Sequence, residues 1–310
     1  RPPGDEPPDA AHVVDYLADY EQRYDVDVRR PVRVETVERA EDGLRVRTDH
    51  GDLHARAVVS ATGTWDRPLW PAVPGADGFA GEVLHVHDYR GPEPFAGERV
   101  LVVGGGNSGA QVAADLLGTA AAVHWATRRP PRYLPDDVDG RVLFEVATQA
   151  VRDRAAGREA RGVGSLGDVV AVPPVRAARD RGDLVAEPMV ERLTERGARW
   201  ADGREDPLDA VVWATGFRPA LAHLRGLGLT WTDGHPATET PDGSPFAVRS
   251  ADGVPLWLLG YGDWCGPASA TLIGVGRPAA AVAADVVATL DRAPARQSRG
   301  SGTVVSSRKQ

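Results

Sequence analysis

The chain has 310 residues, enough for two domains with a core each, and its apolar (42%) and charged (26%) fractions are ordinary for a globular protein. The formal net charge of −8 comes without a long block of one sign, so nucleic acid and anionic membranes are poor partners. Cys265 is the only cysteine, which excludes an intrachain disulfide and a cysteine-rich metal site, and no apolar run approaches the roughly 18 residues that span a bilayer.

The first part of the chain predicts one helix and then short strands. The helix is expected at residues 12–24, where apolar side chains recur at helical spacing. Two extended segments separated by a Glu-Asp-Gly-Leu turn predict a hairpin at residues 32–37 and 44–48. Residues 53–65 predict a short apolar strand that ends in Ala-Thr-Gly, and residues 66–75 form a Pro-rich connector.

The second part of the chain alternates strands with helices. Residues 100–116, VLVVGGGNSGAQVAADL, predict a strand, a glycine-rich turn and the start of a helix. Residues 208–219 predict a buried strand that again ends in Ala-Thr-Gly, and residues 254–264 predict the last strand. An alanine-rich helix is expected at 268–290, and the polar tail at 292–310 is expected to be disordered. This alternation indicates an α/β fold with parallel sheets.

The glycine-rich turn is a candidate dinucleotide site. Gly104, Gly106 and Gly109 fit G-x-G-x-x-G, the spacing that lets a backbone approach a pyrophosphate. An apolar strand precedes the turn and a helix with one apolar face follows it, which is the context that the motif requires. We therefore predict that the three glycines bind the cofactor together with Asn107 and Ser108. A tight turn without a ligand is the alternative.

The strand after this turn indicates which dinucleotide is bound. An NAD site would place Asp or Glu roughly 20 residues beyond the turn, where it holds the ribose 2′-hydroxyl. Here the strand ends in Thr127, Arg128 and Arg129, a hydroxyl and two guanidinium groups that suit a 2′-phosphate. We predict NADPH rather than NADH, with a solvated basic loop as the alternative.

Two strands end in the same triplet, Ala-Thr-Gly. Thr62 and Gly63 belong to the first triplet, and Thr215 and Gly216 to the second. Small residues at the carboxyl edge of a parallel sheet let a ligand approach the backbone closely. Because one triplet lies on either side of the glycine-rich turn, we predict a pair of nucleotide-binding domains.

A fingerprint precedes the glycine-rich turn. Phe79, Gly81, His85 and Tyr89 fit F-x-G-x-x-x-H-x-x-x-[YF]. With it the chain resembles the class B flavin-containing monooxygenases, and ATGTWDRPLWPAVPG, VVWATGFRP and LLGYGDWCGPASATLIGVGR resemble their arsenic-operon-associated branch. The resemblance covers about residues 1–290. It implies an α/β flavoprotein with two dinucleotide-binding domains, a Rossmann-like FAD domain interrupted by an inserted NADPH domain.

The resemblance also divides the chain. It implies the remainder of the first half of the FAD domain at residues 1–65, a linker with the fingerprint at 66–97, the NADPH domain at 98–215 and the return of the FAD domain at 216–291. The tail at 292–310 follows. Because no G-x-G-x-x-G precedes position 104, we expect an N-terminally truncated chain that lacks the first strand and helix of the FAD domain.

The resemblance implies the flavin contacts. Asp263 would accept hydrogen bonds from the ribityl chain, with helix capping as the alternative. Ala270 and Thr271 would offer helix N-terminal amides to the N1–C2=O edge of the flavin, where the positive end of the dipole stabilises the reduced ring. Thr62 and Gly63 would pack against the cofactor.

The implied activity is that of a cytoplasmic, NADPH-dependent FAD monooxygenase, which oxygenates a small substrate with O2 through a C4a-hydroperoxyflavin. Asn107 is a candidate catalytic residue because its amide would reach the junction of nicotinamide and flavin, and His85 with Tyr89 would relay between the domains. A turn-forming asparagine and a packing histidine are the alternatives. A flavoprotein reductase that inserts no oxygen, and a truncated, non-catalytic NADPH-binding protein, remain open as other functions.

Overall fold

A computed structural model describes most of the chain. The described residues are 10–136, 138, 142, 145–146, 148–149, 152–153, 158, 167–241, 243–244, 246–266, 269–272 and 274–292. The expected tail, apart from its first residue, therefore lies outside the described residues. None of the helices within these ranges is both long and apolar enough to cross a membrane.

The elements follow one another in chain order. The helices are α1 (Ala10–Arg23), α2 (Asn107–Leu116), α3 (Pro173–Arg181) and α4 (Gly276–Arg292). The strands are β1 (Val34–Ala40), β2 (Gly43–Thr48), β3 (Gly51–Ala55), β4 (Val58–Ser60), β5 (Glu82–His85), β6 (Arg99–Val103), β7 (Ala122–Thr127), β8 (Ala186–Pro188), β9 (Arg192–Thr194), β10 (Gly197–Arg199), β11 (Glu205–Pro207), β12 (Ala210–Trp213), β13 (Trp231–Thr232), β14 (His235–Pro236), β15 (Thr238–Glu239), β16 (Arg249–Ser250) and β17 (Leu256–Leu258).

A five-stranded parallel sheet, in the order β5–β12–β6–β7–β8, carries the glycine-rich turn. Val100 and Val102 of β6 pack on one face with α2 and α3, while Leu101 and Val103 pack on the other face with β9 and β10. Both faces of β6 are therefore buried, which explains why its sequence is a continuous apolar run rather than an alternating pattern.

The carboxyl end of β6 is a switch point of this sheet. The chain leaves β6 through α2 and continues into β7 on one side, whereas β12 on the other side arrives from much later in the sequence. Open α/β sheets bind ligands at such points, because the connections diverge there and leave a crevice. The glycine-rich turn lies at this crevice.

A second core joins segments that are distant in sequence. Strand β4 pairs in parallel with β17, with Val59 opposite Trp257, and β16 and β15 extend this sheet. Val37 and Leu44 of the first hairpin share a buried cluster with Leu224 and other late residues. The chain thus leaves this layer after β4 and returns to it after β12. The predicted α/β architecture with two units is confirmed, and the predicted domain boundaries remain a prediction.

Two predicted elements differ in detail from the structure. The helix at 12–24 is confirmed as α1, but its apolar Val14 and Tyr20 are 64% and 49% exposed rather than packed. The hairpin is confirmed as β1 and β2, and a third strand, β3, pairs with β2. The sequence did not predict β3 as separate from β4 because four of its five residues are exposed, which leaves no apolar alternation to detect.

Candidate dinucleotide site

Two of the three motif glycines are required by close packing of the backbone. A Cβ added at Gly104, which has a φ of +149°, would lie 2.1 Å from the carbonyl oxygen of Ala214. A Cβ added at Gly109 would lie 2.0 Å from the carbonyl oxygen of Gly104. Main-chain atoms held by packing at the end of a sheet cannot move aside as a flexible side chain would. These glycines therefore hold β6 and α2 against their neighbours.

Gly106 differs from the other two glycines. Its φ of −103° and ψ of −170° are open to any residue, and a Cβ there would meet nothing within 4 Å. It is the N-cap of α2 and offers no side-chain cap, so the first amides of the helix lack that partner. Asn107 and Ser108, which follow it, are exposed. The space that a side chain would fill, together with free helix N-terminal amides, fits the pyrophosphate of a dinucleotide.

Asn107 connects this turn to a distant loop. Its side-chain oxygen accepts a hydrogen bond of 2.7 Å from the backbone N–H of Val170, just before α3. This hydrogen bond holds the first turn of α2 in place and uses the amide oxygen of Asn107. This contact favours a structural task for Asn107, and its catalytic role remains a prediction.

The corner after β7 separates the two arginines that the sequence grouped together. Arg129 donates to Asp168 at 3.1 Å, and Arg132 donates to the same carboxylate at 3.0 Å. The hydrogen bond from Arg132 is the main reason why the pKa of Asp168 lies below its usual range. Arg128 is exposed and has no ion pair among the described residues, while Thr127 is buried. Arg128 is thus the guanidinium of this corner whose donors no described residue takes up, and its contact to a 2′-phosphate remains a prediction.

The fingerprint histidine is locked between backbone groups. His85 is fully buried, its Nε2 lies 3.1 Å from the carbonyl oxygen of Gly216, and its Nδ1 lies 3.1 Å from the backbone nitrogen of His87. A carbonyl only accepts and an N–H only donates, so the ring is the neutral Nε2–H tautomer. Burial lowers the pKa of His85 and keeps it neutral. With both nitrogens engaged, His85 is suited to positioning the Gly216 carbonyl, and its catalytic role remains a prediction.

The other fingerprint residues fix the linker to the sheet. The Tyr89 hydroxyl donates to Asp115 of α2 at 2.8 Å, and its ring stacks on Phe95. Burial raises the pKa of Tyr89 above its usual value, so the hydroxyl stays protonated and can donate. A Cβ at Gly81 would lie 2.3 Å from the carbonyl oxygen of Asp209. The fingerprint therefore joins the linker to both β12 and α2.

The structure brings the two Ala-Thr-Gly triplets close together. Thr62 donates its hydroxyl to the carbonyl of Ala220 at 2.8 Å, and the N–H of Ala220 donates to the carbonyl of Gly63 at 2.9 Å. The Thr215 hydroxyl donates to the carbonyl of Leu69, whose N–H donates to the carbonyl of Gly216. Each triplet is thus bonded, through a threonine hydroxyl and a backbone carbonyl, to a residue that follows the other triplet in sequence.

A buried polar network under the first triplet was not predicted from the sequence. The Ser60 hydroxyl lies 2.9 Å from Nε2 of His223 and 2.5 Å from the hydroxyl of Tyr261. The Tyr261 hydroxyl also lies 2.8 Å from that of Thr62. Burial lowers the pKa of His223. Three distant segments meet here, and no periodic pattern or motif marks their pairing.

The predicted contacts near the end of the chain need one correction. The regular helix begins at Gly276, so the predicted start of this helix near Ala270 is wrong. The Thr271 hydroxyl accepts a hydrogen bond from the N–H of Gly274, and the contact of this segment to the flavin remains a prediction. Pro278 explains the start, since proline lacks an N–H and is best tolerated in the first turn of a helix. The backbone of Asp263 begins a short 3₁₀ turn, and its side chain lies outside the described residues. Its contact to the ribityl chain stays a prediction.

The two buried histidines predict a pH-dependent stability. An unfolded histidine has a pKa of about 6.5, and burial lowers the pKa of His85 and His223 below it. Below about pH 6.5 the unfolded chain binds more protons, so the free energy of unfolding should fall by up to about 1.4 kcal/mol per pH unit for each histidine. Above that pH both histidines are neutral in the folded and in the unfolded chain, so they do not change the free energy of unfolding with pH.

Urea unfolding between pH 7.5 and 5.0 measures this slope. His223→Gln should reduce it, whereas His54→Gln, at an exposed position on β3, should leave it unchanged. An unchanged slope in His223→Gln would contradict the expectation.

The chain is similar in sequence and in fold to known proteins. Residues 2–142 match the family described as pyridine nucleotide-disulphide oxidoreductase. The flavin-containing monooxygenase from Stenotrophomonas maltophilia is 46% identical, with 93% of this chain and 80% of that chain covered and a TM-score of 0.78. The probable indole-3-pyruvate monooxygenase YUCCA4 of Arabidopsis thaliana is 28% identical over 74% of this chain and 64% of its own. Indole-3-pyruvate monooxygenase YUCCA1 of Oryza sativa subsp. japonica is 30% identical over 56% of this chain and 50% of its own. The chain spans half to just under two thirds of these two curated relatives.

Proposed function

The chain belongs to the flavin-containing monooxygenase family, and from that premise we propose that it is an NADPH-dependent FAD monooxygenase that acts on a small substrate with O2. The observation that carries the proposal is the turn at the carboxyl end of β6, where the space beside Gly106 would take the pyrophosphate of a phosphorylated dinucleotide. Arg128, which has no ion pair among the described residues, would take its 2′-phosphate. Bound FAD would supply the redox chemistry between NADPH and O2. The sequence stretches around both triplets further support its placement in the arsenic-operon-associated branch.

The residues around the turn would bind and orient NADPH. The amides at the start of α2 would hold the pyrophosphate, since the helix N-terminus carries partial positive charge. Arg128 would hold the 2′-phosphate as a charge-assisted pair. The hydrogen bond between Asn107 and Val170 would hold these amides against the loop before α3.

The two triplets would position the flavin. Gly63 and Gly216 have φ values of +64° and +83°, and a Cβ at either would meet nothing within 4 Å, so each leaves room for a ring beside the backbone. Next to them Trp65 stacks on Phe217 with ring centroids 5.2 Å apart, and His85 meets Phe217 edge-on at 4.9 Å. Trp65 is exposed in this chain, so the cluster would offer the flavin an apolar wall on one side.

Thiol chemistry does not fit the chain. Burial raises the pKa of Cys265 to about 11, so the thiol stays protonated at neutral pH. It is the only cysteine, so a disulfide reductase mechanism would lack a second sulfur. The proposal therefore places all electron transfer on the two dinucleotides.

A spectroscopic experiment tests the proposal. The full chain is incubated with FAD, freed of excess cofactor, and mixed with NADPH in the absence of air and then in air. We expect the flavin absorbance to be retained, to bleach with NADPH and to recover as O2 is consumed. A chain that retains no FAD, or whose flavin is not reduced by NADPH, would contradict the proposal. Electron transfer to an added acceptor without O2 consumption would indicate a reductase instead.

Arginine variants in the same assay test the choice of NADPH. Arg128→Ala should raise the NADPH concentration for half-maximal reduction about tenfold or more, because it removes a charge-assisted contact worth roughly 1.5–3 kcal/mol. The NADH value should not change. Arg129→Ala is the matched control, since Asp168 already pairs with that guanidinium, and its effect should be less than about threefold. Equal effects of both variants would contradict this assignment.

A further inference from the structure

We propose that Tyr261 is a positioning residue for the proposed flavin site, because its hydroxyl fixes the direction in which the Thr62 hydroxyl donates. In this arrangement Thr62 donates to the Ala220 carbonyl and offers only an acceptor to a ligand beside it. Ser60 and His223, both buried beneath the first triplet, complete the same hydrogen-bonded chain. The role at the flavin rests on the proposed function, whereas the direction of the hydrogen bonds does not.

The fold brings these groups together at one edge of a sheet. Ser60 ends β4, its register partner Leu258 ends β17, and Tyr261 follows shortly after. Because the two strands are parallel, their carboxyl ends lie side by side. His223 reaches this edge from a short 3₁₀ turn. Trp264 stacks on the Tyr261 ring with centroids 5.7 Å apart, so the position of the Tyr261 hydroxyl is well defined.

Among the described residues, four contacts form the chain and three hydroxyls bring hydrogens to it. The Ser60 hydroxyl lies 2.9 Å from Nε2 of His223 and 2.5 Å from the Tyr261 hydroxyl. The Thr62 hydroxyl lies 2.8 Å from that of Tyr261 and 2.8 Å from the carbonyl oxygen of Ala220. Each hydroxyl has a single hydrogen, so the hydrogen of the remaining contact has to come from Nε2 of His223.

The carbonyl at one end fixes the direction of the whole chain. A carbonyl only accepts, so the Thr62 hydroxyl donates to Ala220 and accepts from Tyr261. The Tyr261 hydroxyl then accepts from Ser60, which accepts from the Nε2–H of His223. The backbone N–H of Thr62 also donates to the Tyr261 hydroxyl at 3.1 Å and uses its second lone pair. The hydrogen of Tyr261 is therefore left with Thr62 as its acceptor.

The other neutral tautomer of His223 does not fit these contacts. Burial lowers the pKa of His223, and a hydrogen bond with the backbone of Ala220 opposes this effect. Among the described residues no charged side chain contributes to the shift. A ring with its hydrogen on Nδ1 would make the bond to Ala220, but Nε2 would then take the hydrogen of Ser60. The chain would be one hydrogen short, and one pair of oxygens would face each other without a hydrogen between them.

Nitrogen NMR of the full chain with ¹⁵N-labelled histidine, at pH 7.5 and without FAD, tests the direction. The signals of His223 are those that disappear in His223→Gln, and we expect its hydrogen on Nε2. Thr62→Val removes one end of the chain, so Tyr261 should donate to Ser60 and Ser60 to Nε2, and the hydrogen of His223 should move to Nδ1. Thr62→Ser retains the hydroxyl and should leave the hydrogen on Nε2.

Titration with FAD tests the role at the proposed site. Tyr261→Phe retains the ring against Trp264 but frees the Thr62 hydroxyl, so it should weaken FAD binding about three- to tenfold, the size of one lost hydrogen bond. Tyr133→Phe is the matched control, because the Tyr133 hydroxyl is buried and has no hydrogen-bond partner among the described residues. It should change the affinity less than about twofold.

Either of two NMR results would overturn the proposed direction. These are a hydrogen on Nδ1 of His223 in the unsubstituted chain, and an unchanged His223 spectrum in Thr62→Val. Equal FAD affinity of Tyr261→Phe and the unsubstituted chain would overturn the positioning role. A chain that binds no FAD would contradict the proposed function and this role together, whereas the NMR spectra would still decide the direction of the hydrogen bonds.

Discussion

Gly109→Ala is expected to lower the free energy of unfolding by about 3 kcal/mol, although alanine is the better helix former by about 1 kcal/mol. The added Cβ would lie 2.0 Å from the carbonyl oxygen of Gly104, and that oxygen also accepts the indole N–H of Trp125 at 2.7 Å. Moving the carbonyl away would break this partly buried hydrogen bond, and moving α2 away would open the core. Both ways of relieving the clash are unfavourable.

Urea unfolding followed by circular dichroism measures this loss. Gly105→Ala is the matched control, since a Cβ there would make ordinary contacts of 3.6 Å and more with the Thr127 side chain. The control should stay within about 1 kcal/mol of the unsubstituted chain. A Gly109→Ala chain as stable as the control would show that the helix can shift, and the close packing of β6 and α2 would then not be what requires this glycine.

The sequence predicted the turn but could not distinguish its glycines. Spacing alone makes Gly104, Gly106 and Gly109 equivalent, because the motif records only that each position lacks a side chain. The backbone that excludes a Cβ at Gly104 belongs to Ala214, which is far away in sequence. The pairing of β6 with β12 places Gly104 against protein, the start of α2 places Gly109 against the Gly104 carbonyl, and Gly106 faces open space.

Long-range pairing also explains what else the sequence missed. It assigned Arg128 and Arg129 to the same phosphate site, whereas Arg129 forms an ion pair with Asp168 on another segment. It did not distinguish a packing role of His85 from a catalytic one. The tautomer of His85 depends on the Gly216 carbonyl, which lies 131 positions later in the sequence. Local patterns predict strands, turns and helix faces well, because those depend on neighbours in sequence. Partners of polar side chains depend on topology.

The start of α4 shows a different limit of sequence reading. Alanine-rich residues after position 268 have high helix propensity, and this led to the prediction that the helix begins there. Propensity sums over a window and does not mark a first residue, whereas Pro278 does, because it fits only the first turn. A single residue of the sequence, Pro278, therefore indicates the start of α4, whereas the alanine-rich pattern does not.

Gly106→Val is expected to leave the fold intact and to weaken binding of NADPH about a hundredfold. The φ and ψ of Gly106 lie in the extended region that valine prefers, and a Cβ there meets no protein atom within 4 Å, so stability should change by less than about 1 kcal/mol. The branched side chain would fill the space proposed for the pyrophosphate. Loss of one or two hydrogen bonds to a charged group, at roughly 1.5–3 kcal/mol each, corresponds to a dissociation constant about a hundredfold higher.

Titration of the chain with NADPH and with NADH, followed by nucleotide fluorescence, distinguishes the effect of Gly106→Val on binding from that of Arg128→Ala. Both nucleotides carry the pyrophosphate, so Gly106→Val should weaken both, whereas Arg128→Ala should weaken NADPH alone. Unfolding curves identical to those of the unsubstituted chain would assign the loss to the filled space rather than to the fold. If Gly106→Val bound both nucleotides normally, the turn would have to be a tight connection without a ligand, and the proposed monooxygenase would lose the observation on which it rests.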